Sequence, residues 1–238
     1  MTDTIAYAVE GNVARITLDD GKLNTMSPGF FAALGAALDR AEREKPGAVV
    51  IAGRAGCFSA GLDLKLLPTL PADELQRTLV TFGRTMLRVF TFPIPTVAAV
   101  TGHAVAGGAL LAFACDLRWV AEGAFRLQMN ETAIGLTLPS WAIVIAESAI
   151  PVRWRTEALL HARPYSPDEA LERALVSGVA RPAARLLDDV RAAAAPLAAL
   201  HQAAYAGSKA RLRAMKVRWA SELLESEMVA LPVRSPAR

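Results

Sequence analysis

The stretch Ile94-Pro-Thr-Val-Ala-Ala-Val-Thr-Gly-His-Ala-Val-Ala-Gly-Gly-Ala-Leu-Leu-Ala-Phe-Ala-Cys-Asp116 decides the fold. Its opening run to Val100 is short, apolar and β-branched, as expected of a strand buried on both faces. Gly102 to Gly108 reads as a glycine turn, and the Ala/Leu run to Cys115 as a buried helix opened by the glycines. From Val89 to Cys115 there is no Asp, Glu, Lys or Arg, a length that in principle could span a bilayer. Pro93, Pro95, Gly102, His103, Gly107 and Gly108 interrupt it, so the reading is strand, turn and helix in a globular core rather than a membrane span.

The same pattern recurs upstream. Ala48-Val-Val-Ile-Ala52 is a second continuous apolar run, followed by the glycine-bearing loop Gly53-Arg-Ala-Gly-Cys-Phe-Ser-Ala-Gly-Leu-Asp63. Before it, residues 4–9 and 13–18 read as a hairpin turning at Glu10-Gly11-Asn12. Ser27 and Pro28 form an N-cap and first-turn proline for a helix over 28–44, whose stripe is Phe31, Leu34, Ala37 or Leu38, and Ala41. A helix over about 73–90 leads into the deciding stretch, and short strands follow at 117–121 and 125–128. From Ser140 the pattern is helical, broken at Pro151, Pro164 to Pro167, Gly178 and Pro182. The expected class is α/β, with a core over residues 1–180, a helical portion over 181–230 and a disordered tail at 231–238.

Composition supports a folded, water-soluble chain. Of 238 residues 53% are apolar, but 47 are alanine; the other apolar residues make up a third of the chain, ordinary for a globular core. The mean hydropathy of +0.29 therefore reflects alanine. Cys57 and Cys115 form no CxxC pair, and the start Met-Thr-Asp-Thr-Ile lacks the regions of a signal peptide, which points to the cytoplasm. A net charge of +3 permits an anionic ligand without demanding nucleic acid.

Motifs for dinucleotides, P-loop phosphates, zinc proteases and serine hydrolases are absent, and His103, His161 and His201 share no metal-ligand spacing. Two glycine-containing turns remain, each directly after a buried strand. A helix start offers unpaired N–H groups and a favourable dipole, so two such turns meeting at one point could hold an oxyanion; tight helix-on-strand packing would use the same glycines. Glu131 is the one charged residue between Leu127 and Ala146. Buried there it would have a raised pKa suited to proton transfer; solvated, or paired with Arg126, it would be an ordinary surface acid.

Phe58-Ser-Ala-Gly-Leu-Asp-Leu-Lys65, Gly102-His-Ala-Val-Ala-Gly-Gly108 and Cys115-Asp116 together resemble the enoyl-CoA hydratase/isomerase (crotonase) family. Leu23-Asn24, the run Ile94 to Val100 and Gly178-Val179 extend the likeness over about residues 5–180. The resemblance implies a spiral of ββα units with C-terminal helices that build trimers, often stacked into hexamers. It implies an oxyanion hole from the backbone N–H groups of Ala60 and Gly108. It places the CoA moiety along Lys22-Leu23 and the Ala60–Leu64 loop, with Leu62, Asp63 and Leu64 among the substrate-binding residues and Asp63 ordering its loop. Coenzyme A is then part of an acyl-CoA thioester substrate, and neither a separate cofactor nor a metal is required.

One departure is informative. Hydratases of this family use two glutamates, and the first of those positions is Leu110 here. Adding water needs two groups, one for the water and one for the proton at C2; leucine supplies neither. Moving a double bond from C3 to C2 needs one base, and Glu131 remains. Asn130-Glu131-Thr132 and Leu138-Pro139-Ser140-Trp141 further resemble the mitochondrial-type Δ3,Δ2-enoyl-CoA isomerases, with Ser140-Trp141 in place of the glycines that hydratases tend to carry. The expectation is an enoyl-CoA isomerase with Glu131 catalytic and Leu110 and Trp141 lining the acyl site. A hydratase, another acyl-CoA reaction, or a non-catalytic acyl-CoA binder are the alternatives. The basic run Lys209, Arg211, Arg213, Lys216 and Arg218 reads as a solvated face that could lie near CoA phosphates, rather than a nucleic-acid surface.

Overall fold

The computed structural model describes residues 4–229; the tail reading at 231–238 lies outside them. In chain order, β1 (Ile5–Glu10) and β2 (Val13–Leu18) form the hairpin, and α1 (Pro28–Glu44) follows. Ser27 accepts a hydrogen bond from the Phe30 amide and Pro28 opens the helix, as the sequence predicts; Phe30, Phe31, Leu34, Ala37, Leu38 and Ala41 face the core. Two similar units come next: β3 (Ala48–Ala52), β4 (Gly56–Ser59) and α2 (Ala72–Phe90), then β5 (Thr96–Val100), β6 (Gly102–Val105) and α3 (Gly107–Ala114). A third comprises β7 (Leu117–Ala121), β8 (Leu127–Gln128) and α4 (Ser140–Ala149). The chain then runs through α5 (Arg155–Leu159), α6 (Pro167–Glu172), β9 (Gly178–Ala180), α7 (Leu186–Ala198) and α8 (Gln202–Val229).

Each ββα unit sends its first strand to one sheet and its second to another. The larger sheet has the order β1-β2-β3-β5-β7-β9 and the smaller β4-β6-β8. Only the β1–β2 pairing is antiparallel. This is the α/β spiral that the resemblance implied. Both faces of the large sheet are covered, which is why β3 and β5 are buried at every position and apolar apart from Thr96. On one face Val49, Ile51, Ala98 and Val100 join the main core with α1 to α4; on the other Val50, Val97 and Ala99 meet Leu186, Val190 and Ala194 of α7. Every element described beyond Ala180 is helical, and α8 contributes Ala220, Leu224 and Met228 to the main core.

The small sheet is where the sequence reading fails. Gly53–Asp63 reads as a loop and Gly102–Gly108 as a turn, yet β4 and β6 are paired strands. Gly53 and Gly102 allow close approach rather than reversal. A Cβ on Gly102 would stand 2.0 Å from the Gly56 carbonyl carbon, and one on Gly53 2.5 Å from the Phe58 Cα. Likewise Gly178, read as a helix break, lies in β9 because the Trp119 ring covers its Cα, 2.7 Å from where a Cβ would sit.

Candidate active site

The two glycine-bearing segments after β4 and β6 meet at a cavity of about 90 Å³. Ala60, Leu62 and Leu64 form one wall, Ala106, Gly107 and Leu110 a second, and the segment Asn130 to Pro139 a third. Leu79 and Phe82 of α2, with Trp141 and Ala142 of α4, close the end. Among the lining residues Glu131 is the only ionisable side chain.

The backbone hydrogen bonds correct the predicted oxyanion donors. The Ala60 N–H donates to the Leu23 carbonyl at 3.0 Å, so it is unavailable to a ligand. Its neighbours are committed too: Gly61 N–H to the Ser59 hydroxyl, Asp63 N–H to the Met26 carbonyl, Leu64 N–H to the Leu62 carbonyl, and Lys65 and Leu66 N–H to the Asp63 carboxylate. Leu62 is the exception, its N–H finding no acceptor among the described residues. In the second segment Ala106 N–H donates to the Gln128 carbonyl and Leu110 N–H to the Ala106 carbonyl, which leaves the first-turn amides of α3 free. Of these Gly107 lines the cavity, whereas Gly108 does not; its Cα is pressed onto the Ser59 backbone, 2.0 Å from that carbonyl oxygen if a Cβ were present. The available pair is therefore Leu62 and Gly107, not Ala60 and Gly108. Gly61 makes their meeting possible: φ is +82°, and a Cβ would stand 2.9 Å from the Gly107 nitrogen. The sequence could not show this, since choosing between adjacent amides requires knowing which are already paired.

Ala106, at the start of α3, has φ +50° and ψ −120°, a conformation that favours glycine. The strain turns the chain sharply from β6 into α3 and leaves the Gly107 amide at the cavity wall.

Glu131 is buried, 9% exposed, and makes no ion pair with Arg126 or any other described cation. Its Oε2 has no hydrogen-bond partner among the described residues, nor does the neighbouring Asn130 Oδ1. Burial pushes the carboxyl up to about 7, against a smaller opposing contribution from its own backbone amide. A buried carboxyl with one oxygen unpartnered on an apolar cavity is costly to the fold, and a pKa near neutrality lets it both take and return a proton.

The remaining predicted residues fall around this centre. Leu110 and Trp141 are buried and line the cavity. The Asp63 carboxylate accepts from Thr25 as well as from Lys65 and Leu66, so it orders the loop as expected. Lys22 and Leu23 lie outside the cavity on an exposed loop, Leu23 56% exposed, with the Lys22 carbonyl accepting from Arg54. Asn24, not singled out as a site residue, joins that loop to β4: its amide donates to the carbonyls of Leu18, Cys57 and Phe58, while its own carbonyl accepts from Ser59. The basic run is not one solvated face. Lys209, 5% exposed, and Arg213 both turn inward to Asp116 at 2.7 and 2.9 Å, and Asp116 also accepts from Thr96 at the start of β5. Lys216 reaches Glu147 and Arg218 reaches Glu222, which breaks up a continuous cationic surface.

Residues 8–229 match the family model for enoyl-CoA hydratase/isomerase. The chain belongs to that family. A Thermus thermophilus protein named as an enoyl-CoA hydratase is 39% identical over 195 residues, covering 79% of this chain and 76% of the relative. Human mitochondrial enoyl-CoA delta isomerase 1 is 29% identical over 170 residues, 70% of this chain and 56% of the relative. Among solved structures, a Mycobacterium tuberculosis enoyl-CoA isomerase superposes with a TM-score of 0.88 at 33% identity, covering 97% of this chain and 99% of that one. The human mitochondrial Δ3-Δ2-enoyl-CoA isomerase gives 0.91 at 25% identity, with 95% and 91% covered. This family member is an enzyme of the hydratase/isomerase type with the family's α/β spiral. No helix among its described residues is long and apolar enough to cross a membrane.

Proposed function

We propose that this enzyme shifts a C3 double bond to C2 in enoyl-CoA thioesters. The observation that carries the reading is Glu131 as the one ionisable side chain on an otherwise apolar cavity wall. The thioester carbonyl accepts from the Leu62 and Gly107 amides, which are preorganised for the negative charge that develops on its oxygen. Glu131 removes a proton from C2, the electron pair delocalises into a dienolate, and the same carboxylic acid returns the proton at C4. The double bond then lies between C2 and C3, the mass is unchanged, and Glu131 is again ionised. Leu110 and Trp141 hold the acyl chain and keep water from the dienolate.

Coenzyme A belongs to the substrate in this scheme, and no separate cofactor takes part. Exposed Leu23 beside Lys22 and Arg54 offers an apolar and cationic platform for the nucleotide end. Assembly into a trimer or hexamer is part of the same reading, supported by Leu212, Met215 and Trp219, which lie exposed at helical spacing on α8. So is a cytoplasmic setting, supported by Cys57 and Cys115 as buried free thiols.

Hydration is the second reading, favoured by relatives named as hydratases. It requires a further acid where Leu110 stands. The test is incubation with 3-hexenoyl-CoA, following the ultraviolet absorbance of the conjugated thioester and the product mass. A conjugated product of unchanged mass supports isomerisation; no reaction of 3-hexenoyl-CoA, alongside the gain of one water by 2-hexenoyl-CoA, replaces it with hydration.

A further inference from the structure

We infer that Trp141 is the end stop of the acyl site and that the enzyme is built for short-chain thioesters. This rests on the preceding reading only in taking the cavity as the acyl site. Leu62 and Gly107 mark the carbonyl end, and the chain runs toward Leu79, Phe82, Leu110 and Trp141, away from Leu136, Thr137 and Leu138, which also line a neighbouring groove. Trp141 is 1% exposed. Its ring lies edge-on to Phe82, with centroids 4.8 Å apart, and the indole nitrogen abuts Gly83, where a Cβ would stand 3.0 Å away. Leu224 of α8 comes within 2.9 Å of that same point, so packed core, not open space, lies behind the indole.

The indole is also held at its backbone. Glu227 of α8 accepts from the Ser140 amide at 2.8 Å and from its hydroxyl at 2.5 Å, tying the start of α4 to the C-terminal helix one residue before Trp141. The wall is thus fixed from α2, α4 and α8 together. The cavity measures about 90 Å³, so a long acyl chain cannot be seated in it without displacing the indole.

The test is a chain-length series on the whole enzyme, from butyryl- to dodecanoyl-CoA for binding by calorimetry and from 3-hexenoyl- to 3-dodecenoyl-CoA for kcat/KM. Wild type should bind the C4 to C8 thioesters and lose at least tenfold in affinity and kcat/KM by C12. Trp141→Ala should recover at least tenfold at C12 without gain at C4. Trp141→Phe, a smaller change to the fold, should move the cutoff by about two carbons. Equal use of C6 and C12 by wild type would overturn the proposal, with the chain leaving over Leu136 and Thr137 toward the neighbouring groove that those residues also line. So would folded variants with an unchanged cutoff. Binding of the saturated thioesters needs no chemistry, so a cutoff in binding without isomerisation would refute the reaction and leave the end stop standing.

Discussion

Glu131→Gln should stabilise the folded protein while disabling it, and the stabilisation should depend on pH. The carboxyl titrates at about 7 in the fold against 4.5 when unperturbed. Between those values the folded state holds a proton that the unfolded chain has released, so this group's contribution to stability falls as pH rises through that window. At about 1.4 kcal/mol per unit, the full penalty above pH 7 is about 3 kcal/mol. Glutamine keeps the shape of the neutral acid and cannot ionise. Urea unfolding of both proteins should therefore show a small difference at pH 5, where Glu131 is protonated in the fold, and at pH 8 a variant more stable by about 2–3 kcal/mol. The same variant should lose about 10²- to 10⁴-fold in kcat, because its amide accepts no proton from C2. A stability difference unchanged between pH 5 and 8 would refute the burial argument for Glu131, and activity within tenfold of wild type would remove it from the mechanism.

Wild-type kcat/KM should rise with pH and level off above an apparent pKa near 7, since the free enzyme needs Glu131 ionised; a flat profile between pH 5.5 and 8 would count against the assignment. Ala106→Gly should be neutral or stabilising by up to about 2 kcal/mol in thermal unfolding, reversing the usual cost of glycine, because Ala106 sits at φ +50° and ψ −120°. Asp116→Asn should destabilise by about 3–5 kcal/mol in urea unfolding at pH 7, since it leaves Lys209 and Arg213 without their carboxylate at a largely buried site. Gly108→Ala should fail to fold or lose several kcal/mol, because the new Cβ would overlap the Ser59 carbonyl, a backbone atom with little room to move; wild-type stability in that variant would show that the segment shifts freely.

Much of the large sheet was legible because its determinants are local. The runs Ala48–Ala52 and Thr96–Val100 announce strands buried on both faces, and Ser27-Pro28 announces the start of α1, each from residues adjacent in the chain. The small sheet was not legible. Glycine's usual meaning is a turn, whereas Gly102 lacks a side chain because the Gly56 backbone, 46 positions upstream on the paired strand, lies against it.

The sequence by itself also isolated Glu131 as the one charge in a long uncharged stretch, and the family resemblance marked Leu110 as the position where hydratases carry a second acid. Only the tertiary structure decided the rest of the site. Whether Glu131 is buried and unpaired depends on the cavity that its segment shares with Phe82 of α2, Leu110 of α3 and Trp141 of α4. Which amides can bind an oxyanion depends on partners far along the chain: Leu23 takes Ala60 and Met26 takes Asp63, leaving Leu62 free. The inward turn of Lys209 and Arg213 to Asp116, across more than ninety residues, is of the same kind. Periodicity and local motif report what a residue prefers, while hydrogen bonds, burial and charge pairing are settled by whichever distant group the fold brings within reach.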